Sequence, residues 1–276
     1  MRNKTLTIAS ACYQLDYEII LNSKYGKKLF YYDEHEIADS RMLVINNVEN
    51  EAIVRNMAER AKRNNIIDEF YFCSEASEHA LADLGIRRET FVEKTRFDLR
   101  IELLMKYHVK IKRRYDGYIS SIPAIVAISQ CTTDYLLYFD EDAYMYEGES
   151  RSWIENAIEL MENEPKYVVA NPIWNSKVEE AENESLNIIE SFYVSQGFSN
   201  QCFLVNVKRV KEEFDYNEKP PLFLKKKYPY YAGNCFERRF ATFMFHHDLY
   251  RLVAMGVNYF HEDFTPETIE MWKNFK

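Results

Sequence analysis

Three consecutive acids, Asp140, Glu141 and Asp142, close an apolar, aromatic-rich run from Tyr135 to Phe139. Successive side chains on a strand point to opposite faces, so a strand continued through the triplet sends Asp140 and Asp142 to one side and Glu141 to the other. Two hard oxygen donors on one side, at the mouth of a sheet, suit a divalent cation that holds a diphosphate. The tripeptide alone carries little. Thirteen aspartates in 276 residues give about 0.6 Asp-x-Asp matches by chance, so the context has to decide. A second metal-like group, His246-His247-Asp248, reads as surface, because adjacent residues on a helix point about 100° apart.

The elements that must position the acids form a clear series. Thr5 to Ala11 reads as a buried strand, followed by a helical pattern from Asp16 to Tyr25 that stops near Gly26. Met42 to Ile45 is a second strand ending at Asn46-Asn47. Glu51 to Arg63 is an amphipathic helix with Ile53, Val54, Met57 and Ala61 on one face. Ile66 to Cys73 is a third strand, and Glu75 to Leu84 a helix closing at Gly85. Three strand and helix alternations predict an α/β fold with a parallel sheet and helices packed on it. The strand before Asp140 then comes after a β-α-β-α-β half, and ligand sites in open α/β sheets lie at the carboxyl ends of strands.

Further along, Phe97 to Ile111 has mixed periodicity. Ser120 to Cys131 reads as a buried helix, with Pro123 tolerated if it lies in the first turn. Ser152-x-x-Glu155 forms a capping box for a helix through Met161. Tyr167 to Ala170 and Gln201 to Val205 read as strands, Phe236 to Met255 as containing a long helix, and Val257 to Phe260 as a last strand. Thr265-Pro266-Glu267 starts a C-terminal helical tail. The expectation is one domain over 1–276, with a first half of 1–145, a second of 146–264 and a tail of 265–276.

Bulk properties bound the partners. Hydrophobic residues at 47% and charged residues at 29% supply an ordinary globular core. A net charge of −9 argues against a general nucleic-acid binder. Two local basic clusters stand out: Lys110, Lys112, Arg113 and Arg114, then Lys225, Lys226 and Lys227 followed by Tyr228, Tyr230 and Tyr231. Both read as solvated surface, although the second also suits peripheral contact with an anionic membrane face. Five well-separated cysteines without a Cys-x-x-Cys pair read as reduced thiols. Met1-Arg2-Asn3-Lys4 leads into only a short apolar stretch, and no run of about 18 apolar residues occurs, so the expected location is cytoplasmic.

The order Asp116-Gly117-Tyr118-Ile119-Ser120-Ser121, small-residue helix, Thr133-Asp134-Tyr135-Leu136-Leu137 and Phe139-Asp140-Glu141-Asp142 resembles GT-A glycosyltransferases, particularly the family 2 type. The resemblance extends back to Thr7-Ile8-Ala9-Ser10-Ala11-Cys12-Tyr13 and covers most of the first 145 residues. One departure is Ile122-Pro123-Ala124, where an Ala-Arg-Asn is usual. The resemblance implies a Rossmann-like, mixed but mainly parallel central sheet with helices on both faces. It further implies that Asp142 coordinates Mn²⁺ or Mg²⁺ bridging two phosphates, that Asp140 faces the donor ribose or a metal-bound water, and that Ser10, Cys12, Tyr13 and Asn47 line the nucleotide. A late His, here His261 in Asn258-Tyr259-Phe260-His261, returns to the metal in several such enzymes, and an imidazole completes an oxygen-rich Mn²⁺ site.

Inverting members place a carboxylate at the start of a helix near the acceptor. Glu237 in Cys235-Phe236-Glu237-Arg238-Arg239 is the candidate base, with a plain helix-dipole or salt-bridge role as its ordinary alternative. Gly197-Phe198-Ser199-Asn200-Gln201 sits where acceptors are read, and Phe198, Trp174 or Tyr193 could stack on a sugar. The expected activity is metal-dependent transfer of a hexose from a nucleoside diphosphate sugar, a UDP-sugar foremost, to a saccharide or glycolipid hydroxyl. It is read as inverting, in surface polysaccharide or glycoconjugate synthesis. The alternatives are a non-catalytic carbohydrate- or partner-binding protein of the same fold, a sugar nucleotidyltransferase, which wants a Gly-rich basic loop that Ala9 to Leu15 lacks, and a metal phosphohydrolase.

Overall fold

The computed structural model describes residues 4–14, 17–21, 37–91, 117–145, 152–222, 224 and 235–261. The stretch from Phe97 to Ile111, Asp116, both basic clusters and the tail from Thr265 lie outside the described residues.

Among the described residues the chain opens with β1 (Leu6–Cys12), α1 (Tyr17–Ile20), β2 (Ser40–Ile45), α2 (Glu51–Arg63), β3 (Glu69–Phe72) and α3 (Cys73–Asp83). A 3₁₀ turn at Arg88–Phe91 follows, and then α4 (Gly117–Gln130), β4 (Tyr135–Phe139), β5 (Ala143–Met145) and α5 (Ser152–Asn163). The second half holds β6 (Tyr167–Trp174), α6 (Val178–Glu184), β7 (Asn187–Ile189), β8 (Phe192–Ser195), β9 (Cys202–Asn206), α7 (Val207–Glu212), α8 (Phe236–His246) and β10 (Tyr250–His261).

Among the described residues one ten-stranded sheet runs in the order β3-β2-β1-β4-β9-β6-β10-β8-β7, with β5 paired to β10. The first four strands are wholly parallel. Antiparallel β9 then enters between β4 and β6, which joins the two halves in one sheet. Strands β8 and β5 also run against β10, so seven of the ten strands share one direction. The expected fold class, a mixed and mainly parallel α/β sheet with helices on both faces, is the one observed.

The sheet faces separate because strand residues alternate. Leu6, Ile8 and Cys12 of β1 and Tyr135, Leu137 and Phe139 of β4 pack with α2 and α5 on one face. Ala9 and Ala11, with Leu136 and Tyr138, pack with α3, α4 and α8 on the other. All of β1 is buried, as expected of a strand covered on both sides. Helix α2 keeps its predicted bounds because Asn50 caps it, accepting the Ile53 N–H at 3.2 Å, and Val54, Ala58 and Ala61 repeat at helical spacing toward the core. Ile53, expected on that face, is 50% exposed instead.

Helix α4 is buried from Gly117 through most of its length, and it starts earlier than the sequence suggests. Pro123 is therefore its seventh residue rather than part of its first turn. A proline there has no N–H for the carbonyl four residues back, Ile119. That carbonyl instead accepts the Asn46 side-chain amide at 2.9 Å and the Tyr13 hydroxyl at 3.2 Å. The break in the helix thus becomes the bond that ties the ends of β1 and β2 to α4. The second correction concerns α8, which stops at His246. Asp248 takes a positive φ of 50°, and the residues from Tyr250 onward, partly helical by their pattern, form the long strand β10.

Candidate active site

The acidic triplet is not a strand continuation. The β4 and β9 ladder ends at the Phe139 and Cys202 pair, the Asp140 N–H donates to the Gln201 carbonyl at 2.7 Å, and the Ala143 N–H closes back on the Asp140 carbonyl at 3.0 Å. Asp140 to Asp142 is a turn, so the alternation expected for Glu141 does not apply. All three carboxyls gather in one small volume. Asp140 is 9% and Asp142 8% exposed, and the Tyr138 hydroxyl reaches Asp140 Oδ1 at 3.3 Å. Burial, reinforced by the charge of Asp142, pushes the Asp140 carboxyl up to about 6, against the hydrogen bonds it accepts. Burial and the adjacent Asp140 raise Glu141 well above the ordinary carboxylate range.

The last strand closes onto this turn. β10 pairs with β5 so that His261 faces Ala143, and His261 Nε2 lies 2.9 Å from Asp142 Oδ1. Asn175 fixes that end: its side chain accepts the His261 N–H at 3.0 Å and donates to the His261 carbonyl at 3.2 Å. Despite that close approach, Asp142 Oδ1, like Glu141 Oε2, is buried without a directed hydrogen bond among the described residues. Carboxylate oxygens held from water with no donor aimed at them mark a place short of positive charge. The chemistry of the donors, carboxylate oxygen beside imidazole nitrogen, fits Mn²⁺ or Mg²⁺ with further oxygen ligands. Among the described residues no three His, Cys, Asp or Glu side chains form a complete ligand set, so Asp142 and His261 offer a partial one.

On the β1 side, Tyr13 lies against the acids. Burial raises its phenol well above the usual value, and the charges of Asp140 and Glu141 raise it further. Ser10 and Cys12 are enclosed in the packed sheet, with the Ser10 hydroxyl donating to the Ala11 carbonyl at 3.1 Å. Their side chains are turned to packing rather than to an opening. Asn47 is exposed with a positive φ of 51°, and its neighbour Asn46 makes the internal bond to Ile119.

Glu237 stands at the head of α8. The Phe236 N–H donates to Ser121 Oγ at 2.8 Å, which anchors the helix start on α4. Phe236, Arg238, Arg239 and Phe240 are buried, whereas Glu237 is partly open. Glu237 lines a cavity of about 680 Å³ together with Trp174, Lys177, Ser199, Gln201 and Tyr259. Gln201 connects that cavity to the acidic turn, since its carbonyl holds the Asp140 N–H and its side chain accepts the Tyr259 hydroxyl at 3.1 Å.

Of the three candidate stacking rings only Trp174 is a partly open wall of the cavity. Phe198 is buried and stacked on Phe240 at 4.0 Å between centroids, and Tyr193 is buried with its hydroxyl on Glu182 at 3.0 Å. His246 and His247 both turn to Glu218, at 3.5 and 2.8 Å. Asn175 and Asn46 carry no sequence mark of their roles. Each follows a strand that ends in a turn, which is a signal for the turn but not for its distant partner.

No protein-family model matches the chain, and no curated protein matches it by sequence. Comparison in three dimensions with solved structures does find matches. A mannosyltransferase from Pyrobaculum calidifontis in complex with GDP-Man and Mn²⁺ matches 99% of this chain and 61% of its own, at 11% identity and a TM-score of 0.48. GalNAc-T7 with UDP, GalNAc and Mn²⁺ matches 95% of this chain and 44% of its own, at 10% identity and a TM-score of 0.43. Glucosyl-3-phosphoglycerate synthase from Mycobacterium tuberculosis, in complex with Mn²⁺, UDP and phosphoglyceric acid, matches 75% of this chain at 8% identity and a TM-score of 0.37. The chain spans 57% of the length of that synthase. No helix among the described residues is long and apolar enough to cross a membrane.

Proposed function

We propose that the protein is a metal-dependent glycosyltransferase of the GT-A type, moving a hexose from a nucleoside diphosphate sugar, a UDP-sugar foremost, to a hydroxyl acceptor with inversion. Assembly of a surface polysaccharide or glycoconjugate is the setting that this reading favours. The observation that carries it is the 2.9 Å approach of His261 Nε2 to Asp142 Oδ1 at the carboxyl end of β4, beside the cavity that Glu237 lines. A carboxylate and an imidazole able to hold a cation at a strand end, next to a sugar-sized hollow, suit a donor and an acceptor held side by side.

Asp142 and His261 are the residues that would hold Mn²⁺ or Mg²⁺, with Asp140 turned to the donor ribose or a water. When bound, the cation neutralises the charge developing on the departing diphosphate. Glu237 takes the proton from the acceptor hydroxyl as its oxygen bonds to the anomeric carbon and the anomeric C–O bond to phosphate breaks, its electron pair leaving with the diphosphate. Tyr13, set against the acids, and the exposed turn at Asn47 border the donor side.

The test is thermal denaturation against UDP, GDP, CDP, CMP and dTDP, each with Mn²⁺ and with EDTA. A ligand at 100 times its dissociation constant stabilises by about 2.7 kcal/mol, which raises the midpoint by roughly 5–10 °C in a domain of this order of size. The expected result is a rise with one nucleotide that EDTA, Asp142→Asn and His261→Ala each remove. No rise with any nucleotide refutes the proposal.

A further inference from the structure

Among the described residues, the charged side chains lining the cavity are Lys177, Glu180, Glu184, Glu237 and Arg251, three carboxylates and two cations. Both cations are already engaged. Lys177 Nζ lies 3.6 Å from Glu180 Oε2 and 3.5 Å from the centre of the Trp174 ring. Arg251 donates to Glu184 Oε2 at 2.9 Å and to Ser195 Oγ at 3.0 Å, with its side chain 11% exposed. The neutral polar groups of the lining are Asn171, Ser199, Gln201 and Tyr259, Trp174 is its partly open ring, and Ile173, Ala181 and Val253 are among its apolar residues. Among the described residues that line this space, an entering anion meets more carboxylates than cations, and each cation is already shared with a carboxylate. A polyhydroxylated neutral ring meets hydrogen-bonding groups and one aromatic face instead.

We propose that the acceptor taken by this cavity is an uncharged sugar, and that the Lys177–Glu180 and Arg251–Glu184 pairs exclude phosphorylated or carboxylated acceptors by keeping both cations neutralised. The proposal rests on the glycosyl-transfer reading above and names the acceptor class for it. The lining carboxylates set the preference, so releasing one cation relaxes it. Glu180 is exposed on α6, which makes Glu180→Gln a substitution the fold tolerates.

The experiment titrates the intact chain, in Mn²⁺ and the nucleotide that gives the thermal shift, with methyl glucoside, galactoside and mannoside and with the corresponding sugar 6-phosphates. Tryptophan fluorescence is the readout, and Trp174→Phe identifies the signal of that ring. At least one neutral glycoside is expected to saturate, with its 6-phosphate at least tenfold weaker, a difference of about 1.4 kcal/mol. Glu180→Gln is expected to narrow that gap several-fold by tightening the phosphate more than the neutral sugar. Phosphates that bind as tightly as neutral sugars, no saturable change with any neutral glycoside, or a gap that Glu180→Gln leaves intact overturns the proposal. A nucleotide shift that survives while these titrations fail removes the acceptor assignment alone, whereas loss of the nucleotide shift removes the transferase reading itself.

Discussion

The carbonyl of Ile119 offers a quantitative check on how the end of the sheet is held to α4. Pro123 deprives it of its helical N–H, and Asn46 and Tyr13 supply donors at 2.9 and 3.2 Å. In Asn46→Ala the stronger donor disappears from a residue that is 8% exposed. The lost bond is worth about 1 kcal/mol and the under-satisfied carbonyl about 1 kcal/mol more. In a Pro123→Ala background residue 123 regains its N–H, the carbonyl has a helical partner, and the cost of Asn46→Ala should fall to about 1 kcal/mol. The coupling of about 1 kcal/mol exceeds the scatter of about 0.3–0.5 kcal/mol seen for independent sites. At roughly 2–4 °C per kcal/mol, Asn46→Ala lowers the midpoint by about 4–8 °C when Pro123 is present and by about 2–4 °C in the Pro123→Ala background. Urea and thermal unfolding of the four proteins measure the cycle, in which the packing lost with the proline ring cancels. Equal costs in the two backgrounds refute the reasoning.

Three other outcomes follow from the same structure. Glu237→Gln should lower transfer turnover by about 10²–10⁴ while the Mn²⁺-dependent nucleotide shift stays at the wild-type value; full turnover with the correct product removes Glu237 from the base role. Arg239, buried and donating to the Tyr216 carbonyl at 2.8 Å and Thr90 Oγ1 at 2.5 Å, joins α8 to two other segments, so Arg239→Met should cost about 2–4 kcal/mol in urea unfolding, and a cost under about 0.5 kcal/mol contradicts that role. Burial raises the Asp68 carboxyl, but hydrogen bonds from the Arg41 side chain and backbone, with its charge, outweigh it and leave the folded pKa below the ordinary value. The resulting stability is present above the unfolded value of about 3.9 and is lost as pH falls through the lower folded value, so Asp68→Asn should flatten the fall in urea midpoint between about pH 4 and pH 2, and an unchanged acid limb argues against it.

The alternation of strands and helices is legible in the sequence because each signal is local. Asn50, the helical repeat of α2 and the buried run of β1 sit within a few residues of the elements they define. The acidic turn is illegible for the opposite reason: strand alternation stops at the last ladder bond, and that bond is decided by Gln201, some sixty positions away. Pro123 suggests a first turn because the compensation for a mid-helix proline lies on Asn46 and Tyr13, in other strands. Helix α6 has no buried residue and so no periodic pattern to read. The β7 and β8 hairpin turns at Glu190, with a φ of 50°, where neither glycine nor asparagine announces it. At the site, the sequence names the acids and the late histidine, and it is the family resemblance that brings them to one metal. The role of Asn175 in holding that histidine has no sequence signal, because it is the parallel pairing of β6 and β10 that brings the two together.

Strand β10 carries Arg251 and Tyr259 of the cavity as well as His261 of the acidic turn, and its register against β6 jumps between Ala254 and Asn258. Gly256, at a φ of 72°, lies in that excess loop of strand, where a left-handed backbone costs a glycine little. The bulge therefore sets the phase of everything after it. Removing one residue there would turn Tyr259 and His261 to the opposite face together, whereas removing two would keep the face and slide both by about 7 Å. Tyr259 and His261 therefore cannot be retuned separately by length changes in the bulge, whereas Arg251, which precedes it, keeps its place, so any such change shifts the late part of the strand as one unit against the early part.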